Sequence, residues 1–186
     1  MSAMTRHLKR YASAALMLCG LALWSASAAA GSREDLDAHV RQAIDELYKT
    51  SPAARELAGK SVGMLVFPTV IKAGFWFGAE YGQGALLVSQ KNSGYYNVIS
   101  ASWGLQIGAQ EKSFVMMFMT ADALNRFRES KGWKAGVDGS VAIATLGAGD
   151  QIDTTTLKKP IIGFVFSNRG LMANLTLEGS KISRIE

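Results

Sequence analysis

The sequence predicts an α+β protein: a curved, mainly antiparallel sheet or partial barrel with two to three packed helices. Three observations predict it. Residues 32–59 carry helical periodicity, and from Val62 the pattern changes to short alternating strands. One further helical stretch after Thr120 interrupts those strands, an order that favours segregated helices on an antiparallel sheet. Two of the strand-like stretches also share glycine alternation. In one, Phe75, Phe77, Ala79 and Tyr81 fall on one face, with Gly74, Trp76, Gly78, Glu80 and Gly82 on the other. In the other, Trp103, Leu105, Ile107 and Ala109 oppose Gly104, Gln106, Gly108 and Gln110. Glycine weakens a strand, so such a row implies that another backbone layer or a bound molecule comes very close.

The chain has 186 residues and begins with a basic start at Arg6, Lys9 and Arg10. An apolar run from Ala12 to Trp24 and the small residues of SASAAA come next, the pattern of a bacterial-type secretory signal peptide over residues 1–30. The run is shorter than the roughly 20 residues a membrane span needs. Cys19, the only cysteine, could be a lipoprotein attachment site, although Leu18 before it is bulkier than such sites require. The expectation is one domain over 31–186, periplasmic or secreted after cleavage, with outer-membrane association as an alternative. Without the signal, 17 basic residues face 15 acidic ones, so the net charge falls from +5 to +2. No basic run with interleaved aromatics remains, which argues against nucleic acid as a partner.

Ser32 and Asp35 have capping-box spacing ahead of Leu36, Val40, Ile44, Leu47 and Tyr48 at helical intervals. Ser51-Pro52 restarts a short helix that Gly59 should end. Val62–Phe67 reads as a strand closed by Pro68, and Gly74–Gly82 as a second. Ala85–Gln90 and Tyr95–Ser102 read as a hairpin turning at Lys91–Gly94, and Phe114–Met119, apolar on both faces, as a central strand. Thr120 caps a helix that turns Ala123, Leu124 and Phe127 inward and ends by Gly132; strands resume at 141–146, 161–167, 171–178 and 182–185.

Catalytic chemistry finds little purchase. His39 is the one histidine after residue 30, so no second imidazole or thiol can share a transition metal with it. Ser100-Ala-Ser102-Trp-Gly104 has serine where a nucleophile elbow needs its first glycine. Neither Gly82-Gln-Gly84 nor Gly147-Ala-Gly149 completes a phosphate loop, and Asp150 and Asp153 form a sparse calcium pair. The expectation is a protein without catalytic residues, metal or cofactor. Binding is better supported. Met64, Met116, Met117, Met119 and Met172 accompany numerous phenylalanines, suiting a core or acyl-chain contacts. Trp76 and Trp103 stand beside glycine-lined positions, where an indole suits a lipid interface. Lys72, Lys158, Lys159 and Arg169 lie at expected strand ends, where cations can meet phosphate.

The segments VGMLVFPTVIKAGFWFGAEYGQGALL, GYYNVISASWGLQIGAQ, SFVMMFMT, ALNRF, GWKAGVD and PIIGFVFSNRGLMANLTLEGSKI closely resemble the SYLF domain family over nearly all of Ser61 to Ile185. The resemblance implies lipid binding, in eukaryotic members to phosphoinositides (phosphatidylinositol lipids), and relates the chain to a fungal actin- and lipid-binding domain. The helix over 32–50 bears Glu34, Asp35, Asp37, Asp45 and Glu46 against Arg33, Arg41 and Lys49, so it is not the basic amphipathic helix that favours anionic membranes. The expected function is non-enzymatic binding of phospholipid or another anionic lipid in the cell envelope. Lys72, Phe75, Trp76, Trp103 and Arg169 are its candidate lipid-binding residues, and actin is not an expected partner in that compartment. A structural or protein-interaction role in the envelope, without bound lipid, is the competing expectation.

Overall fold

The computed structural model describes residues 32–74, 77–103, 108–144, 152, 154–167, 170–171 and 179–185. The expected signal segment, the calcium pair, Phe75, Trp76, Arg169 and residues 104–107 lie outside them. Internal contacts divide the chain at Asp37/Ala38, and only 32–37 of the first unit is described. The second unit carries the sheet. Its helices are α1, ending at residue 50, α2 (Pro52–Lys60), α3 (Ala121–Glu129) and the short α4 (Thr154–Leu157). Its strands are β1 (Gly63–Gly74), β2 (Phe77–Val88), β3 (Lys91–Trp103), β4 (Gly108–Phe118), β5 (Trp133–Lys134), β6 (Ala142–Ile143), β7 (Ile161–Ser167), β8 (Gly170–Leu171) and β9 (Lys181–Ile185).

These strands form one curled sheet in the order β5-β9-β3-β2-β1-β4-β7-β6, with β8 beside β7. Pairing is antiparallel except between β6 and β7. The α+β architecture with a half-barrel sheet is thus as the sequence predicts. The main core fills the inner face, where Leu65, Phe67, Val70, Leu86, Val98, Phe114, Met116 and Phe118 meet α3. Phe127 of α3 packs within about 5–6 Å, ring centre to ring centre, of Tyr96, Phe118 and Trp133. On the outer face, Val66, Val115, Met117 and Phe164 are fully buried, as a central β4 requires. There α1 and α2 contribute Val40, Leu47, Ala54 and Leu57 to a second apolar layer.

The helix caps agree with the sequence signals. Ser51 Oγ accepts the Ala54 N–H at 3.1 Å and Thr120 Oγ1 the Ala123 N–H at 3.2 Å, each satisfying a donor at a helix start. Ala123, Leu124 and Phe127 are buried as expected. Gly59 does not end α2: the helix runs one residue further and closes at Ser61, whose N–H reaches the Leu57 carbonyl at 2.9 Å.

Three strand boundaries differ from expectation. Gly74–Gly82 is not one strand, because β1 ends at Gly74 and β2 starts at Phe77, with Gly74 opposite Gly78. The β2–β3 turn is Ser89–Gln90 rather than Lys91–Gly94. Both turn residues have left-handed φ, 50° and 63°, the pattern of a two-residue primed hairpin turn, here without glycine. Gly94, at φ 144°, instead serves a register shift beside Leu86/Leu87, and its N–H reaches Asn92 Oδ1 at 2.8 Å.

Pro68 also fails to close β1. Proline has no N–H for the ladder, and the register slips beside it on both sides, between Val66/Thr69 and between Phe67/Val70. The result is a bulge with one extra residue in β1, where Ser113 Oγ donates to the Pro68 carbonyl at 2.7 Å. This bulge explains two of the glycines. A Cβ on Gly84 would stand 2.1 Å from the Val66 carbonyl oxygen, and one on Gly82 2.7 Å from that of Thr69. What comes close at these positions is the protein's own backbone. Gly84→Ala should therefore destabilise the fold by about 3 kcal/mol, as overpacking against main chain does. Urea unfolding of the variant measures it, and a loss within error of zero would remove the close-approach account.

Candidate functional site

The end of the sheet where β1 passes into β2 carries two contrasting faces. On the inner face, beyond the apolar core, strand alternation continues into charge. Lys72 pairs in register with Glu80 on β2 and Gln110 on β4, and Glu80 with Ser100 on β3. Lys112, two residues further along β4, faces the same way. Glu80 Oε2 lies 2.9 Å from Lys112 Nζ and Glu80 Oε1 3.5 Å from Lys72 Nζ, with side chains only 10–20% exposed. Burial alone would raise the Glu80 carboxyl. The hydrogen-bonded Lys112 ammonium, aided by Lys72, more than offsets this and holds it below its ordinary value. Two ammoniums and one carboxylate leave the cluster with one net positive charge.

The outer face at this end is apolar and uncovered. Ile71 lies opposite Tyr81, and Tyr81 opposite Ile99, so three adjacent strands form one cross-strand row. These side chains are 51%, 49% and 51% exposed. Glu111 stands opposite Ile71 at the β4 end of the row and Lys181 opposite Ile99 at the β9 end, both exposed. The next row toward the strand junction is alanine throughout: Ala109, Ala73, Ala79 and Ala101 in register. Beyond it Phe77 is paired with Trp103, at positions of the same parity as Tyr81 and Ile99. Isolated exposed hydrophobics need no explanation, but a contiguous apolar sheet face does.

Of the five residues predicted as a site, the structure describes the positions of two, Lys72 and Trp103. Lys72 lies on the inner face in contact with Glu80, while the Trp103 position has outer-face parity. Phe75, Trp76 and Arg169 fall outside the described residues. Sequence reasoning misses Lys112, Ile71, Tyr81 and Ile99. A lone Glu80 on a glycine face is the available signal for buried cations, but its partners depend on register. His39 lines a separate concavity of about 480 Å3 with Glu46, Glu111 and Ser113. Among the described residues no group of three His, Cys, Asp or Glu could hold a metal, and no helix is long and apolar enough to cross a membrane.

The geometry is thus an α+β half-barrel with a buried ion cluster on one face and an exposed apolar row on the other. Residues 99–185 match the model of the Ysc84 family, described as Las17-binding protein actin regulator, a match consistent with the SYLF resemblance. The match runs from Ile99 in β3 through β9 and leaves out β1 and β2, which carry Ile71, Lys72, Glu80 and Tyr81. No curated protein matches the chain.

Removing the Glu80 charge tests the inner cluster. Glu80→Gln leaves two nearly buried ammoniums uncompensated and should cost about 3 kcal/mol at neutral pH. The sign with pH is set by the depressed carboxyl. Its stabilisation is fully present above the ordinary glutamate value, roughly 4.3, and is lost as pH falls through the lower folded value. Stability of the parent should decline across that acid range more steeply than that of Glu80→Gln. Parallel curves in acid denaturation would show that Glu80 carries no such linkage.

Proposed function

We propose that this protein is a non-enzymatic lipid-binding domain of a bacterial cell envelope, acting on phospholipid or another anionic lipid surface after removal of its signal segment. The observation that carries the reading is the uncovered row Ile71–Tyr81–Ile99, beside the exposed Ala79 and Ala101. An apolar sheet face that exposes the Tyr81 ring suits the boundary between headgroups and acyl chains. The family match supports it from a separate direction, since the SYLF resemblance implies lipid binding. The actin regulation in the family's description does not suit a compartment without actin.

The charge arrangement modifies the expected headgroup contacts. Lys72 has its ammonium near Glu80, so Lys72→Glu would put two carboxylates side by side and test stability before binding. Lys181, exposed at the β9 end of the apolar row, is the better placed cation. Glu111 at the opposite end favours an approach tilted toward β9.

Vesicle flotation tests this. Tyr81→Glu combined with Ile99→Glu should lower binding to phosphatidylglycerol vesicles at least about tenfold, because each buried apolar side chain contributes roughly 1.5–3 kcal/mol. Lys181→Gln should have a smaller effect that disappears at high salt. If the parent protein stays with the unbound fraction for every envelope lipid, or pulls down a protein partner that occupies the face without lipid, the reading fails.

A further inference from the structure

A second concavity lies between the helices and the β2–β3 turn, remote in register from the Ile71 row. It encloses about 570 Å3, within the range of small-ligand pockets. Its floor is apolar and half-exposed: Ile44 and Tyr48 from α1, Ala58 from α2, Met64 from β1 and Leu87 from β2. Among the described residues its only charged lining groups are two cations, Arg41 on α1 and Arg55 on α2, and no carboxylate lines it. Neither arginine takes part in the ion pairs Lys60–Glu56, Lys72–Glu80, Lys112–Glu80 or Arg126–Asp122. The Arg55 guanidinium lies 5.3 Å from the centre of the Tyr48 ring, a cation–π contact that holds it over the floor.

Two features give this groove a direction. Guanidinium groups present paired donors that match phosphate or carboxylate oxygens, and two of them with no acid among the described lining residues favour one anionic head. The half-exposed aliphatic floor beside them favours an apolar tail. Gly59 of α2 lines the same groove, and a Cβ there would meet nothing within 4 Å, so that side is open.

We infer that the groove between α1, α2 and the β2 end binds a single-chain anionic amphiphile, its phosphate or carboxylate between Arg41 and Arg55 and its acyl chain along Ile44, Met64 and Leu87. The inference rests on the lipid-binding reading for the class of ligand, but assigns it a different surface from the sheet face. The sheet face meets a lipid layer; the groove takes one molecule.

Calorimetric titration of the purified protein with dodecyl phosphate, laurate, dodecyl maltoside and inorganic phosphate tests it. Dodecyl phosphate or laurate should bind saturably at one site, and the tighter of the two tells whether a phosphate-headed lipid or a fatty acid is the source. Neutral dodecyl maltoside and inorganic phosphate, each lacking one half of the ligand, should bind at least about tenfold more weakly. Arg41→Gln with Arg55→Gln should weaken the anionic amphiphile about tenfold or more, in line with the loss of charge-assisted hydrogen bonds. Gly59→Trp should abolish binding by filling the open side. It should do so without lowering the melting temperature, since it replaces a glycine within a helix. Absence of saturable binding in the parent, equal binding by the neutral amphiphile, or unchanged affinity in both variants overturns the groove. Vesicle flotation run in parallel separates the two ideas. Flotation without amphiphile binding rejects the groove alone, whereas loss of both rejects lipid binding altogether.

Discussion

The extra residue that Pro68 introduces into β1 decides which side of the sheet every later residue of that strand faces. Leu65 and Phe67 point into the core, and uninterrupted alternation would send residue 71 inward and residue 72 outward. The bulge reverses this, so Val70 and Lys72 face inward and Ile71 faces solvent. β2 and β4 carry no matching extra residue at that level, as the two register shifts show. A single missing backbone N–H thus places an ammonium inside the sheet and an isoleucine outside. The charged inner cluster and the apolar outer row are two consequences of one local defect, each requiring the other.

That defect also orders the neighbouring strands. β1 bends close to β2, which requires glycine at 82 and 84, where any side chain would meet main-chain oxygen. Lys72, once turned inward, would be an isolated buried charge without Glu80 opposite it, and burying such a charge unpaired costs several kcal/mol. Glu80 in turn holds Lys112, which the same face brings beside it. Proline, glycines and ion cluster are therefore one connected solution to a kinked central strand. Gly82 and Gly84 in β2 are explained there by packing against the main chain of β1.

Much of this architecture is legible in the sequence, and the illegible part has a common cause. The α+β class, the caps at Ser51 and Thr120, the inward face of α3 and the buried β4 come from periodicity and local hydrogen-bond chemistry, which act over a few residues. The continuation of β1 through Pro68, the position of the β2–β3 turn and the partners of Glu80 depend on pairing between strands. Glycine is a misleading guide at Lys91–Gly94, because Ser89 and Gln90 take the left-handed conformations and Gly94 serves the register shift. For the site, periodicity marks Lys72 as a cation at a strand end. One inserted residue earlier in the same strand changes the face it occupies, and no periodicity count that treats β1 as ending at Pro68 can register that change.

Charge and apolar surface are apportioned differently at the two ends of this fold. On the sheet, the inner cations are held near Glu80 and the outer row is flanked by one acid and one base, so the open face is close to neutral at its rim. For the lipid binding proposed above, apolar contact, more than charge attraction, would then dominate at this face. In the helical groove the balance is the reverse: among the described lining residues, two guanidinium groups and no acid accompany the apolar floor. A lipid layer presents a broad area with dispersed charge, and a single amphiphile presents one concentrated charge on a narrow tail. The two surfaces differ in just the respects in which those ligands differ, so salt should distinguish them, weakening the groove far more than the sheet face.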